Sequence, residues 1–194
     1  MQSCAISACG KAVQWRRALA LLGELPAPAA RSYGAAFGAC ERAGKWRLAL
    51  ELLGQMQRRR AANLVAYNQA LDALRGRAPA LAVFCGAMRR GHFAGLLSNG
   101  GCTLDLHGLS VSAGVLATWW WLHEVLPGAL QGPRRPVEVV TGWGRHRKEK
   151  GEGYATLWDT VGEFLDKLGL PRVHSDEGSI NLAPRRLLRQ LRAS

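Results

Sequence analysis

The strongest constraint on this chain is an internal repeat. Residues 7–22 align with residues 38–53 at a constant offset of 31, and the alignment pairs Cys9 with Cys40 and Trp15 with Trp46. Within both copies, apolar residues recur at i, i+3 and i+4. A period in the thirties with this spacing predicts stacked helix pairs, because one pair alone cannot bury its apolar face.

A third, weaker copy follows the first two. Tyr33 corresponds to Tyr67 at an offset of 34, and the third copy continues through residues 80–84 to Met88. Gly10 and Gly44 are predicted to lie in the turns between paired helices. Residues 1–90 are therefore predicted to form an all-α solenoid with two clear repeats and one degenerate repeat.

Residues 91–102 contain several Gly and Ser residues and are predicted to be a flexible linker. From Thr103 the apolar period changes from helical to alternating. The predicted order is a strand at 103–108, a helix from a Ser110 cap to about Leu126 that Pro127 ends, a strand at 137–141, a helix at 154–168, and strands at 171–175 and 179–183. This β-α-β-α-β-β order predicts an α/β sandwich over residues 103–183, so the whole chain is classed as α+β. Residues 184–194 are predicted to form a basic C-terminal helix.

The positive charge is concentrated in the repeat half. The chain has a net charge of +12, and the residues up to Cys102 contain 14 Lys and Arg against 4 Asp and Glu. Such a field favours a polyanion, and nucleic acid is the leading partner. The alternative is a solvated helical surface that happens to be rich in arginine.

Several other classes of protein are excluded by the sequence. The longest apolar stretch, Val111–Leu126, is shorter than the ~20 residues of a membrane-spanning helix and contains His123 and Glu124. The five Cys residues are odd in number and lack C-x-x-C spacing, which favours buried thiols in a reducing compartment. No secretory signal is visible in residues 1–23, and His92, His123 and His174 lack the spacing of metal ligands.

The repeat half resembles the pentatricopeptide repeat family of RNA-binding helix-pair arrays. The resemblance rests on Tyr33-Gly34 and Tyr67-Asn68 at helix starts and on residues 43–56 as a second helix. In that family, each repeat reads one base through the residue after the helix-start aromatic and through the last residue of the repeat. These positions are Gly34 with Asn63 in the second copy and Asn68 in the third. The alternative is a protein-interaction array like the tetratricopeptide repeats.

Two further features of the repeats have an expected role. Trp15 and Trp46 occupy identical repeat positions beside Ala and Leu residues, so they are predicted first as core residues rather than as base-stacking residues. Three consecutive arginines end a predicted second helix, where they complement the helix C-terminus and can contact phosphate. These are Arg58, Arg59 and Arg60.

The second half resembles the Smr domain, the small domain related to the C-terminal part of certain mismatch-repair proteins. The resemblance covers residues 103–183 and rests on Leu-Asp-Leu-His-Gly at 104–108 and Thr-Gly-Trp-Gly at 141–144. Many Smr domains nick or cleave DNA or RNA. Repeat arrays followed by an Smr domain form a family in photosynthetic eukaryotes, and the resemblance implies work on organellar RNA in a chloroplast or mitochondrion.

Asp105 and His107 are the candidate catalytic residues. Alternation along a strand puts them on one face, where they can act as base and acid in phosphodiester hydrolysis, or Asp105 can hold one Mg²⁺ through a water. No second pair of carboxylates is close in sequence, so a two-metal site is not predicted, and no tightly bound cofactor is expected. The alternative is a structural pair that anchors the strand end through hydrogen bonds.

The loop after the second strand of this half is the candidate phosphate-binding element. Backbone N–H groups of Gly142 and Gly144 are predicted to bind phosphate, with Arg145 and Arg147 completing the anion site and with Trp143 able to stack on a base. Thr141, which begins this motif, is also predicted to contact the nucleic acid. No phosphate-binding motif of nucleotide hydrolases and no dinucleotide fingerprint occurs in the sequence.

Together these features predict a protein that binds single-stranded RNA and possesses an Smr-type endonuclease unit, with DNA as the second candidate substrate. The alternative function is a non-catalytic adaptor for nucleic acid or for a protein partner.

Overall fold

A computed structural model of the 194-residue chain describes residues 2–132, 135–142, 156–170, 172–176 and 178–183. The chain divides into two compact units between His92 and Phe93. The predicted loop residues 143–153 and the predicted C-terminal helix at 184–194 lie outside the described residues.

The first unit consists of three consecutive helix pairs. The pairs are α1 (Gln2–Lys11) with α2 (Trp15–Gly23), α3 (Ala30–Arg42) with α4 (Trp46–Arg58), and α5 (Leu64–Ala73) with α6 (Pro79–Arg89). The first helix of each pair packs against that of the next, since α3 contacts both α1 and α5. Tyr33, Phe37, Tyr67 and Phe84 are buried in this core. The predicted helical repeat is therefore confirmed in its helices and in their order.

The turns within the first two pairs share one backbone conformation. Gly44 has a φ of 63°, and Val13 has a φ of 58° at the equivalent position. In each turn, the next residue donates an N–H to a carbonyl of the preceding helix: Gln14 to Cys9 at 2.9 Å and Lys45 to Cys40 at 2.8 Å. The prediction that Gly10 forms the first turn is wrong, because Gly10 lies inside α1.

Trp15 and Trp46 are not core residues as predicted. Each is the first residue of the second helix in its pair, and each is half-exposed. Small and aliphatic residues later in those helices fill the interior instead, such as Ala18, Leu22 and Leu53. The two indoles recur at the same repeat position because each stands at the start of a helix, and not because they pack in the core.

The second unit is built on a mixed sheet. Within the described residues the sheet has five strands, which are β1 (Leu97–Ser98), β2 (Thr103–Asp105), β3 (Val137–Val140), β4 (Arg172–Asp176) and β5 (Ser179–Leu182). Their order in the sheet is β1-β2-β3-β5-β4, and only β2 and β3 are parallel to each other. The mixed α+β class is confirmed, and the identification as an Smr arrangement stays a prediction.

The second half of the predicted linker belongs to this sheet. Leu97 pairs with Leu104 in an antiparallel ladder, and the side chains of Phe93, Leu96 and Cys102 are buried. The prediction of a flexible connection throughout residues 91–102 is therefore wrong. Its Gly and Ser residues form a short strand and a 3₁₀ turn (Asn99–Gly101) instead of an open link.

A long helical segment crosses from β2 to β3. It consists of α7 (Val111–Trp120), a π-helical turn (Trp121–Val125) and α8 (Leu126–Ala129). Ser110 caps α7 as predicted, since its Oγ accepts the N–H of Ala113 at 3.3 Å. Pro127 does not end the helix as predicted, because it lies in the first turn of α8, where an N–H is not required.

The three consecutive tryptophans in this segment have different environments. The Trp121 side chain is buried, and its Nε1 donates to the carbonyl of Gly101 at 2.7 Å. Trp119 and Trp120 are half-exposed. This division agrees with the expectation that one helix face cannot bury all three rings.

The last described helix is α9 (Leu157–Lys167), which begins with a capping box. Asp159 donates its N–H to the Thr156 hydroxyl, and its carboxylate accepts the N–H of Thr156. Val161 and Leu165 are buried, whereas Leu168, the residue after the last turn of α9, is exposed.

The cysteines are free thiols. Cys9, Cys40 and Cys102 are buried, and Cys4 is exposed. Burial raises the pKa of the Cys40 thiol to about 11, and the nearby Glu51 adds to that rise, so this thiol is neutral. None of the described helices is long and apolar enough to span a membrane.

Candidate nucleic-acid interface

The two sequence motifs of the second unit meet at one edge of its sheet. Asp105 is opposite Val140 in the parallel register of β2 and β3, and Leu106 donates its N–H to the carbonyl of Val140 at 2.8 Å. The chain segments that follow the two strands therefore emerge side by side. In sheets of this kind, the edge at the carboxyl ends of parallel strands is where ligands commonly bind.

Asp105 and His107 are hydrogen bonded to each other. One carboxylate oxygen of Asp105 lies 2.6 Å from Nδ1 of His107 and accepts the backbone N–H of His107 at 2.9 Å. The second bond closes a local turn and replaces the extended strand geometry that the sequence predicted, since β2 ends at Asp105. An ionised Asp105 accepts the Nδ1 proton, so Nε2 is the ring atom left with a lone pair in the neutral imidazole.

The pair is open to solvent. The exposed fraction is 60% for the His107 side chain and 41% for that of Asp105. The pair is therefore accessible to a ligand from solution. The same two bonds also fit the structural alternative, in which the pair only anchors the turn.

Gly142 forms the floor under the His107 ring. A Cβ at Gly142 would lie 2.7 Å from Nε2 of His107, and the φ of Gly142 is 79°. Both observations require glycine, because a side chain would push the imidazole aside and the left-handed backbone disfavours other residues. This close approach joins the Leu-Asp-Leu-His-Gly and Thr-Gly-Trp-Gly motifs in space.

Two of the predicted phosphate donors have partners inside the fold. The backbone N–H groups of Thr141 and Gly142 both point to the carbonyl of Gly178, at 2.9 and 3.2 Å. Thr141 is buried, and its hydroxyl also donates to Gly178 at 3.4 Å. Thr141 and the N–H of Gly142 are therefore engaged within the fold and not free for the predicted contacts with nucleic acid, because both hold the end of β3 against the turn before β5.

The remaining residues predicted for this loop, namely Trp143, Gly144, Arg145 and Arg147, lie outside the described residues. The part of the chain that the structure describes contains no group of three or more His, Cys, Asp or Glu side chains that could hold a metal ion. Asp105 offers one exposed carboxylate, which suits Mg²⁺ only when phosphate oxygens and waters complete its shell.

The surface of the repeat unit is strongly cationic. All fourteen Lys and Arg side chains between residues 2 and 92 are exposed. Only four acidic residues share that surface, and the pKa of one of them, Glu41, is raised by burial and by the charge of Asp72. A polyanion would find few competing negative charges on this unit.

The arginine cluster lies where the sequence placed it. Arg58 is the last residue of α4, and the side chains of Arg58, Arg59 and Arg60 are exposed. Arg59 donates weakly to the carbonyl of Pro26 at 3.5 Å, and Arg60 has a left-handed backbone with a φ of 53°. The cluster is therefore accessible to phosphate.

The predicted base-reading residues differ in what they can offer. Asn63 caps α5, since its side-chain oxygen accepts the N–H of Ala66 at 3.0 Å. Asn68 lies half-buried on α5. Gly34 is covered by Gln69, whose amide nitrogen would lie 3.1 Å from a Cβ at that position. Asn63 therefore has a structural role whether or not it also reads a base.

Sequence analysis missed the cations that surround the two repeat tryptophans. Arg16 and Lys45 lie over the Trp15 ring at 5.0 and 5.3 Å from its centroid, and Arg47 lies over Trp46 at 4.6 Å. The signal was present in Lys45-Trp46-Arg47, since a Lys or Arg beside an indole can lie over its face.

Comparison with known families supports the helical part of this interpretation. The family model of the PPR repeat matches residues 31–60, which span α3 and α4. Residues 31–60 are thus similar to a pentatricopeptide repeat. No curated protein matches the chain.

Proposed function

We propose that this chain is an RNA-binding protein whose pentatricopeptide repeat unit supplies most of the affinity. The observation that carries the proposal is that all fourteen basic side chains are exposed on a unit in which residues 31–60 match the repeat model. Single-stranded RNA is the preferred substrate, because helical arrays of this type bind unpaired strands. DNA is the second candidate.

Binding should depend strongly on salt, because each phosphate contact releases a counterion. For a single strand, the slope of log K against log salt changes by about 0.7 for each contact. Replacing Arg58, Arg59 and Arg60 together by Gln should therefore reduce the slope by about 2. A control variant with Arg135→Gln and Lys167→Gln removes two charges from the sheet unit and should leave most of the affinity. Equal losses in the two variants would place the RNA elsewhere.

We further propose that the sheet unit is an Smr-type endonuclease unit and that His107 is its catalytic residue. In this proposal Nε2 of His107 accepts a proton from the water that attacks phosphorus. The new P–O bond forms while the bond to the leaving oxygen breaks, and solvent protonates that oxygen. Asp105 is a positioning residue, because its bond to Nδ1 keeps Nε2 free of a proton. Mg²⁺ bound by Asp105 and phosphate oxygens would neutralise charge on the phosphate.

Cleavage of a labelled RNA with and without Mg²⁺ tests this proposal. His107→Ala should reduce the cleavage rate by about 10² to 10⁴ without loss of RNA affinity, as expected for the removal of a general base. Asp105→Asn should alter the pH profile of cleavage, because an amide can hold the other tautomer. Glu138→Gln is a matched control on β3. A wild-type rate of cleavage by His107→Ala would show that the pair only closes the turn, whereas absence of cleavage by the wild-type chain would favour the non-catalytic adaptor.

The loop after Gly142 completes the proposed nucleic-acid site. Arg145→Ala should lower RNA affinity and the salt slope together by about one phosphate contact, and Gly144→Val should weaken binding by crowding the phosphate. A stable Trp143→Ala variant with undiminished binding and cleavage would remove the loop from the site.

The resemblance also motivates a proposed location in a chloroplast or mitochondrion and a role in RNA processing there. Organelle fractionation with an antibody against this chain tests the location. Recovery of the protein in the cytosolic fraction alone would contradict it.

A further inference from the structure

Trp15 and Trp46 stand at equivalent places in neighbouring repeats but have different partners. Each indole carries the guanidinium of the residue that follows it, Arg16 or Arg47. Trp15 carries a second cation, the Lys45 ammonium of the next repeat, at 5.3 Å from the ring centroid. The first indole is therefore bound into the array by its neighbour.

The third repeat has no cation at the position equivalent to Lys45. Lys45 is the N-cap residue of α4, and the N-cap residue of α6 is Ala78, which has no charge. Within the described residues, Arg47 is the one cation that lies over the Trp46 ring. Trp46 is half-exposed, and Lys45 and Arg47 on either side of it are exposed. Trp46 thus keeps π surface that its counterpart uses within the protein.

The charge around Trp46 limits what can bind there. The positive charge favours an anionic ligand over a cationic one, because Arg47 lies over the ring and the exposed Lys45 precedes Trp46 in the chain. Any of the nucleobases can stack on an indole. The phosphate attached to such a base would be attracted by Lys45 and Arg47. A ligand with an aromatic ring joined to an anionic group therefore fits both the half-exposed indole and the positive charge beside it.

We propose that Trp46 is a stacking platform for one base of a single-stranded RNA, with Arg47 contacting the adjacent phosphate. The platform lies at the start of α4, at the turn between the paired helices, and it is separate from the base-reading positions Gly34, Asn63 and Asn68. The inference rests on the proposed RNA binding and adds to it a contact that is independent of sequence.

The test uses the full chain and a fluorescein-labelled octamer of uridylate, with binding followed by anisotropy. Trp46→Leu keeps an apolar side chain but removes the π face, and Trp46→Phe keeps a smaller π face. Trp15→Leu is the matched control at the equivalent position. Circular dichroism melting establishes that each variant is folded at the assay temperature.

Trp46→Leu should weaken binding by about tenfold to a hundredfold with an unchanged salt slope, which is the range expected for loss of one stacked base. Trp46→Phe should retain most of the affinity, and Trp15→Leu should bind within about twofold of wild type. Arg47→Gln should instead reduce the salt slope by about 0.7. An octamer without bases should bind wild type and Trp46→Leu equally.

Two results would overturn the inference while leaving RNA binding intact. One is wild-type affinity of Trp46→Leu, and the other is an equal loss of affinity in Trp15→Leu and Trp46→Leu. If the wild-type chain fails to bind the octamer at any salt concentration, the proposed RNA binding fails first, and the platform fails with it.

Discussion

Val13 occupies a backbone conformation that is unfavourable for a β-branched residue. Its φ is 58° at the turn between α1 and α2, where Gly44 has a φ of 63° in the next repeat. A left-handed conformation costs about 1–2 kcal/mol for an L-residue and is rarer still for a β-branched one. The Val13 side chain is 45% exposed, so removing it sacrifices little burial. Replacing Val13 by Gly should therefore relieve strain with little loss of packing.

The expected gain is the difference between relieved strain and added freedom of the unfolded chain. Glycine destabilises the folded state by roughly 0.5–1 kcal/mol through that freedom. Val13→Gly should then stabilise the protein by about 1 kcal/mol, which corresponds to a melting temperature higher by about 2–4 °C in a chain of this size. Urea unfolding followed by circular dichroism at 222 nm measures the free energy of unfolding.

The reverse substitution is the matched control. Gly44→Val should destabilise the protein by about 1 kcal/mol or more, and no atom lies within 4 Å of a Cβ at Gly44, so the effect would be due to the backbone and not to a clash. A loss of stability in Val13→Gly, or an unchanged free energy in Gly44→Val, would refute the argument that these turns are strained by side chains.

Three further predictions test the sheet edge, the charge and a helix cap. Gly142→Ala should lower the free energy of unfolding by about 1–2 kcal/mol, because the φ of Gly142 is 79°. It should also shift the ring NMR signals of His107, because the new Cβ would lie 2.7 Å from Nε2. Unchanged ring signals would contradict the close approach. The pKa of Glu41 is raised in the folded protein, so the fold tolerates the protonated side chain better than the ionised one. Its contribution to stability is therefore fully present below the pKa that Glu has in the unfolded chain, and it is lost as the pH rises through the folded-state pKa. Glu41→Gln should therefore raise the melting temperature at pH 7, with no difference below about pH 4, and equal melting at both pH values would oppose this. Asn63→Ala should cost about 1 kcal/mol through loss of the bond to Ala66, whereas the neutral Asn63→Ser should keep the cap, so a loss of RNA affinity in both variants would reveal base reading.

Local patterns were sufficient to predict most of the helices and strands. The apolar spacing of the repeats predicted three helix pairs, since each helix must bury one face against its neighbours. Ser110 was predicted as a cap from its place before an apolar run, because its bond to Ala113 lies within one helical turn. The contact between Asp105 and His107 was also predictable, since the two residues are adjacent across a single turn.

Predictions that relied on residue preference alone were less successful. Gly10 was predicted to form a turn because glycine favours turns, although the repeat alignment places Val13 opposite Gly44. Pro127 was predicted to end a helix, but the preceding π-helical turn leaves it in a first turn where its missing N–H does no harm. Both errors arose because the backbone conformation and hydrogen bonds required of a residue depend on its position in the helix and not on the residue type alone.

The sequence by itself therefore determined the repeat, its cationic surface and the residues of the two motifs in the sheet unit. Only the tertiary structure decided which of these residues meet. Gly142 lies under His107 because β2 and β3 pair in parallel, and residues 97–98 become a strand because the edge of β2 offers them a partner. Pairing between strands depends on bonds between residues distant in the chain, and no local pattern specifies those bonds.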